Sequence, residues 1–251
     1  MNFVDVPHTP LAPATAPARI AYRSEGPARP GDAAPLVFLH GGWGYDIYPF
    51  DSQLAAFSAS RRVVIPDRSG YGASPAIDSL PPDFHDRAVD ETRAVLDALA
   101  LARPVLWGHS DGAIIALRLA LRDPDRVSAV IAEATHFYRR KPASRGFFEN
   151  VLANPASTAI MRAHARAWLQ IGADAASDTD DFYDGRLGDL SVRTLVVHGA
   201  RDPRTEPGEI DALRRAAPRI DVRIVDAAHS PHSEPSSARE VTAAAARFLG
   251  A

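Results

Sequence analysis

Five residues constrain this chain more than any others: Gly108-His109-Ser110-Asp111-Gly112. They stand between an apolar run, Val105-Leu106-Trp107, and a stretch from Ala113 to Leu121 that is apolar almost all round. In a strand-to-helix setting, Gly-x-Ser-x-Gly predicts a strained turn that lifts a serine hydroxyl clear of the backbone. The neighbours of such a turn must be small, and the two glycines meet that need. The competing reading is a Gly-rich turn with an incidental serine. A serine hydroxyl is a weak nucleophile, so a base and a group that orients the base are expected elsewhere in the chain.

Apolar runs suited to buried strands recur at 36–39, 63–65, 105–107, 127–131, 194–197 and 222–225. The first thirty-five residues are rich in Pro and Ala, from Pro7 to Pro35, yet shorter strands fit at 3–6 and 19–23. Helical stretches fall between the runs, at 88–101, 113–121, 205–216 and 236–249. Strands alternating with helices predict an α/β fold with a mostly parallel sheet covered on both faces. The alternation breaks from Ala134 to Leu190, where a helical stretch near 159–169 and an acidic patch (Asp174, Asp178, Asp180, Asp181, Asp184) replace a strong strand. The organisation expected is a core of 1–133 and 191–251 with a mostly helical insertion at 134–190. The acidic patch reads as a solvated face, because its spacing matches no ion-binding loop.

The base is expected late in the chain, and His229 in Asp226-Ala227-Ala228-His229-Ser230 fits. The acid is expected between serine and base, and Asp202 fits, just past the strand ending at Val197. All three positions lie at C-terminal strand ends, where open α/β sheets build their sites. The rivals are His232 as base and Asp226 as acid. Asp226 lies on or beside its strand. A metal held by His229 and His232 lacks a third ligand in the sequence.

With these residues in place the chain resembles the α/β-hydrolase fold family from Leu36 onward. His40-Gly41-Gly42-Trp43-Gly44 matches the family's oxyanion-loop motif. Asp67-Arg68-Ser69-Gly70-Tyr71-Gly72-Ala73-Ser74 is similar to its D-x-R-G-x-G-x-S stretch, with Ser69 in place of a basic residue. The segment from His229 to Pro235 resembles its H-x-P-H-x-E-x-P ending. The resemblance implies a helical cap at 134–190. One oxyanion donor is expected from the Asp111 backbone, and the other from Gly42 or Trp43. Some members keep their acid at the place of Glu133. Here Glu133 is expected to line the pocket, with His136, Phe137, Tyr138 and Trp168 from the cap. The Asp111 carboxylate has two readings: a charge at a helix N-terminus, or a receptor for a cationic substrate group such as the α-amine of an amino-acid ester.

The function expected is a serine hydrolase that cleaves a small carboxylic ester through an acyl-enzyme on Ser110, without cofactor or metal. Carbon–carbon bond hydrolases and cofactor-free haloperoxidases share the triad. A non-catalytic ligand-binding receptor on the same fold is the alternative from another class. Relatives with an aspartate nucleophile, such as dehalogenases and epoxide hydrolases, are disfavoured because position 110 is Ser. The net charge of −3 gives no electrostatic case for nucleic acid, so the expected partner is a small molecule. No apolar run nears the roughly 20 residues that span a bilayer. No signal peptide is evident and cysteine is absent, so the expected location is the cytoplasm. Lys141 is the only lysine, an arginine bias that fits a GC-rich bacterial genome.

Overall fold

Every apolar run named above enters one eight-stranded sheet in the computed structural model, which describes residues 1–27 and 33–250. Part of the Pro- and Ala-rich segment, 28–32, lies outside the described residues. The strands are β1 (Asn2–Val6), β2 (Ala18–Glu25), β3 (Leu36–Leu39), β4 (Val63–Pro66), β5 (Val105–His109), β6 (Ala129–Glu133), β7 (Thr194–Gly199) and β8 (Asp221–Val225). Their order in the sheet is β1-β2-β4-β3-β5-β6-β7-β8. Only β2 runs against the rest; every pair from β4 to β8 is parallel. The mostly parallel sheet covered by helices is thus observed.

Seven α-helices accompany the sheet among the described residues: α1 (Asp51–Phe57), α2 (Phe84–Ala98), α3 (Asp111–Arg122), α4 (Pro142–Ala153), α5 (Ala159–Asp174), α6 (Glu209–Ala216) and α7 (Ala238–Leu249). Side chains alternate across each strand. Val37 and Leu39 of β3, with Leu106 of β5, pack on α2 and α3. Leu36 and Phe38, with Trp107, face the other way onto Phe57 of α1 and Val241 of α7. Trp107 and Phe38 are fully buried, and truncating either to Ala would cost about 3–5 kcal/mol.

Several boundaries differ from the sequence reading. Helix α6 starts at Glu209 rather than 205, because Pro207-Gly208 intervenes. Helix α2 starts earlier, at Phe84, and β6 starts later, at Ala129. Strand β8 ends the sheet and leaves Ile224 exposed, as an edge permits. Helices α1 and α4 carry no strong periodic signal and were not anticipated; α4 opens on Pro142 at its first turn.

Between β6 and β7 the chain carries α4 and α5. Asp178, Asp180 and Asp184 of the acidic patch face Arg140 and Arg139. Asp181 accepts from the backbone N–H groups of Tyr183 and Gly185. Lys141, at the N-terminus of α4, is buried and donates to Glu209 at 2.5 Å. The same carboxylate accepts from the N–H groups of Phe137 (2.7 Å) and Tyr138 (3.1 Å), so Glu209 ties the start of this segment to α6. No helix of the described residues is long and apolar enough to cross a membrane.

Candidate active site

The register pairs Leu39 with Gly108 and His109 with Glu133, so the C-terminal ends of β3, β5 and β6 lie side by side. Ser110 sits between β5 and α3 at φ 54° and ψ −119°, a conformation that costs a non-glycine residue about 1–3 kcal/mol. Its surroundings enforce it. A Cβ on Gly108 would lie 2.1 Å from the Gly112 carbonyl oxygen, and one on Gly112 would lie 1.9 Å from that of Leu39. The Ser110 N–H donates to the Glu133 carbonyl at 2.9 Å, which locks the turn onto β6.

The loop after β8 brings His229 over this turn. Its Nε2 lies 3.1 Å from Ser110 Oγ, and its Nδ1 donates to Asp202 Oδ2 at 2.8 Å. Asp202 Oδ1 accepts from the Arg204 N–H at 2.9 Å. Burial pushes the Asp202 carboxyl up, but the hydrogen bond and charge of His229, with His198 nearby, outweigh it and hold the group down to about 2. Burial lowers the His229 imidazole below its ordinary value, against the pull of Asp202, so it is neutral at pH 7. An ionised carboxylate, a neutral imidazole and a hydroxyl thus form one hydrogen-bonded line.

The rivals fall elsewhere. Asp226 is exposed and pairs with Arg201 at 2.7 Å. His232 donates from Nδ1 to Glu133 at 2.6 Å and stacks on Phe50 at 4.0 Å. Glu133 therefore does not line a pocket, contrary to expectation. It is fully buried, and it also accepts from the His232 N–H and from Trp107 Nε1. With His109, these two residues form the one trio of imidazole and carboxylate donors within 4.8 Å of one another among the described residues. His109 Nε2 is already held by the His229 carbonyl and Ser230 Oγ, each at 3.0 Å, so the trio acts as a brace beneath the His229 loop.

The loop from His40 to Gly44 is fixed through its carbonyls. His40 Nδ1 donates to the Gly41 carbonyl at 2.8 Å, and Arg68 donates to the carbonyls of His40 (3.1 Å) and Gly41 (3.4 Å). Tyr71 donates to the Gly42 carbonyl at 2.8 Å. In a planar trans peptide the N–H points opposite to the C=O. Anchoring the Gly41 and Gly42 carbonyls therefore aims the N–H groups of Gly42 and Trp43 away from those anchors. Burial, then Arg68, lowers His40 to about 3, so it braces as a neutral ring. A Cβ on Gly42 would meet His164 Nε2 at 2.1 Å and Asp111 Oδ2 at 2.8 Å.

That contact leads to residues the sequence reading missed. The Asp111 carboxylate is fully buried and accepts from His85 Nε2 (2.9 Å), His164 Nε2 (2.5 Å) and Trp168 Nε1 (3.1 Å). It has no room to receive a cationic substrate, which corrects that expectation. Burial pushes the carboxyl up, yet His164 and His85 outweigh it and hold Asp111 well below the usual carboxylate range. Trp168 faces Asp111, not an acyl chain, although it also lines a cavity of about 410 Å³ between α4 and α5 that no triad residue reaches. His136 stacks on His229 at 5.6 Å and 19°. Phe137 and Tyr138 are positioned by Glu209 through their backbones. Trp43 packs against Phe147 of α4 (5.7 Å) and His164 of α5 (5.1 Å). Ser110 and His229 each keep only 6% exposure, so access to the hydroxyl is narrow.

A family model described as the alpha/beta hydrolase family matches residues 36–245. A haloalkane dehalogenase of Psychrobacter cryohalolentis is 36% identical over 119 residues, which are 47% of this chain and 38% of that protein. A putative carbamate hydrolase, RutD, of Enterobacter cloacae is 36% identical over 103 residues, 41% of this chain and 38% of that protein. The matches thus span under two fifths of these curated relatives. A solved epoxide hydrolase of Bacillus megaterium shares the fold with a TM-score of 0.75 over 100% of both chains, at 19% identity.

Proposed function

The chain belongs to the alpha/beta hydrolase family, and from that premise we propose that it is a serine hydrolase of small carboxylic esters. The observation that carries this reading is the line Asp202–His229–Ser110 at 2.8 and 3.1 Å, set on a strained turn. Ser110 Oγ attacks the ester carbonyl carbon while His229 Nε2 takes its proton. Asp202 fixes the tautomer that leaves Nε2 free to accept, and it stabilises the imidazolium that forms. The Asp111 N–H, orphaned at the first turn of α3, and the N–H of Gly42 or Trp43 hold the developing oxyanion. The C–O bond breaks, His229 returns the proton to the leaving alcohol, and the acyl group stays on Ser110. Water then attacks the acyl-enzyme as His229 takes its proton, which releases the acid and regenerates Ser110. No cofactor enters these steps.

Residues 134–190 act as a cap on a core of 1–133 and 191–251 in this reading. Trp43, His136 and Phe147 form the walls near the nucleophile. An aspartate-nucleophile chemistry, as in dehalogenases, is not favoured, because position 110 offers a hydroxyl and no carboxylate. A fluorophosphonate should label Ser110, and a short-chain p-nitrophenyl ester should turn over with Ser110→Ala inactive. Labelling without multiple turnover would favour a binding protein on this fold, and no labelling would overturn the reading.

A further inference from the structure

Arg204 stands two residues beyond Asp202, and its own N–H is part of the acid's setting. Its guanidinium stacks on Phe147, 4.1 Å from the ring centroid. Phe147 lies 5.7 Å from Trp43 in the oxyanion loop, so the cation sits at the edge of the proposed catalytic centre. Among the described residues, no carboxylate comes within 4.0 Å of this guanidinium. The carboxylates whose charge reaches it are engaged otherwise: Asp202 with His229, and Asp111 with His85, His164 and Trp168. The side chain is only partly exposed. Burial is the main cause that lowers the proton affinity of His229, His109 and His136, three imidazoles around Ser110, and the charge of Arg204 adds a smaller push in the same direction.

A partly buried cation without an anion is an incomplete pair. Stacking on Phe147 covers one face of the guanidinium and Tyr48 stands at one of its edge donors; the remaining donors lie in plane, the geometry that suits a carboxylate. We infer that Arg204 receives an anionic group of the substrate, so that the preferred esters carry a free carboxylate on the acyl side, as monoesters of short dicarboxylic acids do. The inference rests on the serine-hydrolase reading for the reaction, but not for binding. A purely structural Arg204, bridging α4 to the β7 loop through Phe147, would affect stability and all esters alike.

The test compares mono-p-nitrophenyl glutarate with p-nitrophenyl valerate, which differ by a carboxylate against a methyl group. In the wild type the ratio of kcat/KM values, anionic over neutral, should exceed ten. In Arg204→Gln it should fall toward one, and Arg204→Lys should recover part of it. A wild-type ratio of one or less, or a ratio unchanged in Arg204→Gln, would overturn the inference while leaving the hydrolase intact. Calorimetric binding of the same two esters to Ser110→Ala gives a readout without turnover. If that variant binds the glutarate ester at least tenfold more tightly while the wild type hydrolyses neither, the anion site stands and the hydrolase reading falls. Equal binding of the two esters there would sink the anion site.

Discussion

Replacing Asp111 tests whether the carboxylate beside Ser110 is an internal tie or a surface-like helix charge. Asp111→Ala leaves three buried donors, His85 Nε2, His164 Nε2 and Trp168 Nε1, without their acceptor. Each unsatisfied buried donor costs about 1–3 kcal/mol. Local relaxation trims the sum to about 3–5 kcal/mol, the range for breaking a buried charged pair. Asp111→Asn keeps one acceptor oxygen, and His164 can turn its bare Nε2 to the amide by moving its proton to Nδ1, which has no partner now. The Asn variant should therefore lose about 1–3 kcal/mol. At roughly 2–4 °C per kcal/mol for a chain of this size, the Ala variant should melt about 6–20 °C lower. Urea unfolding with an unchanged m-value would measure the free energy directly. Because Gly42 rests on this pair of side chains, ester turnover should fall about tenfold, less than the 10²–10³ for losing an oxyanion donor outright. The folded pKa of Asp111 is depressed, so its contribution is present above the unfolded value of about 3.9 and is lost as pH falls through the folded one. A loss below about 1 kcal/mol in Asp111→Ala would refute the tie, as would an Ala variant no worse than the Asn one.

Three further outcomes are expected. Ser110→Ala and His229→Ala should each cut turnover by at least about 10³, and Asp202→Ala somewhat less; a mild His229→Ala beside a lethal His232→Ala would refute the assigned base. Burial lowers His229 below its ordinary 6.5, so the imidazole is more than half neutral at pH 6.5 and the midpoint of the rising limb of kcat/KM should lie below that pH; a midpoint at 7 or above would contradict the burial seen here. Glu133→Ala should cost about 3–5 kcal/mol by stranding His232 and Trp107, with acyl-chain preference unchanged; a shifted preference at normal stability would return Glu133 to the pocket.

The line of Ser110, Asp202 and His229 was legible because each residue announces itself locally, next to an apolar strand. The sheet was legible for the same reason. What the sequence hid are partners brought together from afar. Nothing near Asp111 signals that its carboxylate turns inward, since His85 lies on α2 and His164 and Trp168 lie on α5. Glu133 looked like a pocket residue because it ends β6, but the carboxylate faces Trp107 and His232 inside the core. Arg204 carried a faint signal, a cation two residues past the acid, and its stacking on Phe147 depends on a helix with no periodic signature.

The contact between Lys141 and Glu209 has a practical consequence. Apart from the α-amine, the chain owns a single primary amine, and folding hides it under the start of α4. Acylating reagents that decorate most proteins at many points can reach the α-amine freely, but the side-chain amine only when Lys141 swings out. The rate at which an amine-selective ester tags Lys141 is then the reagent's intrinsic rate scaled by the fraction of molecules with this joint open. The mass shift on the peptide that carries Lys141 thus serves as a clock for the lifting of residues 134–190 from α6, without an engineered label. Adding a substrate or inhibitor that holds the segment down should slow the clock, and loosening Glu209 should speed it.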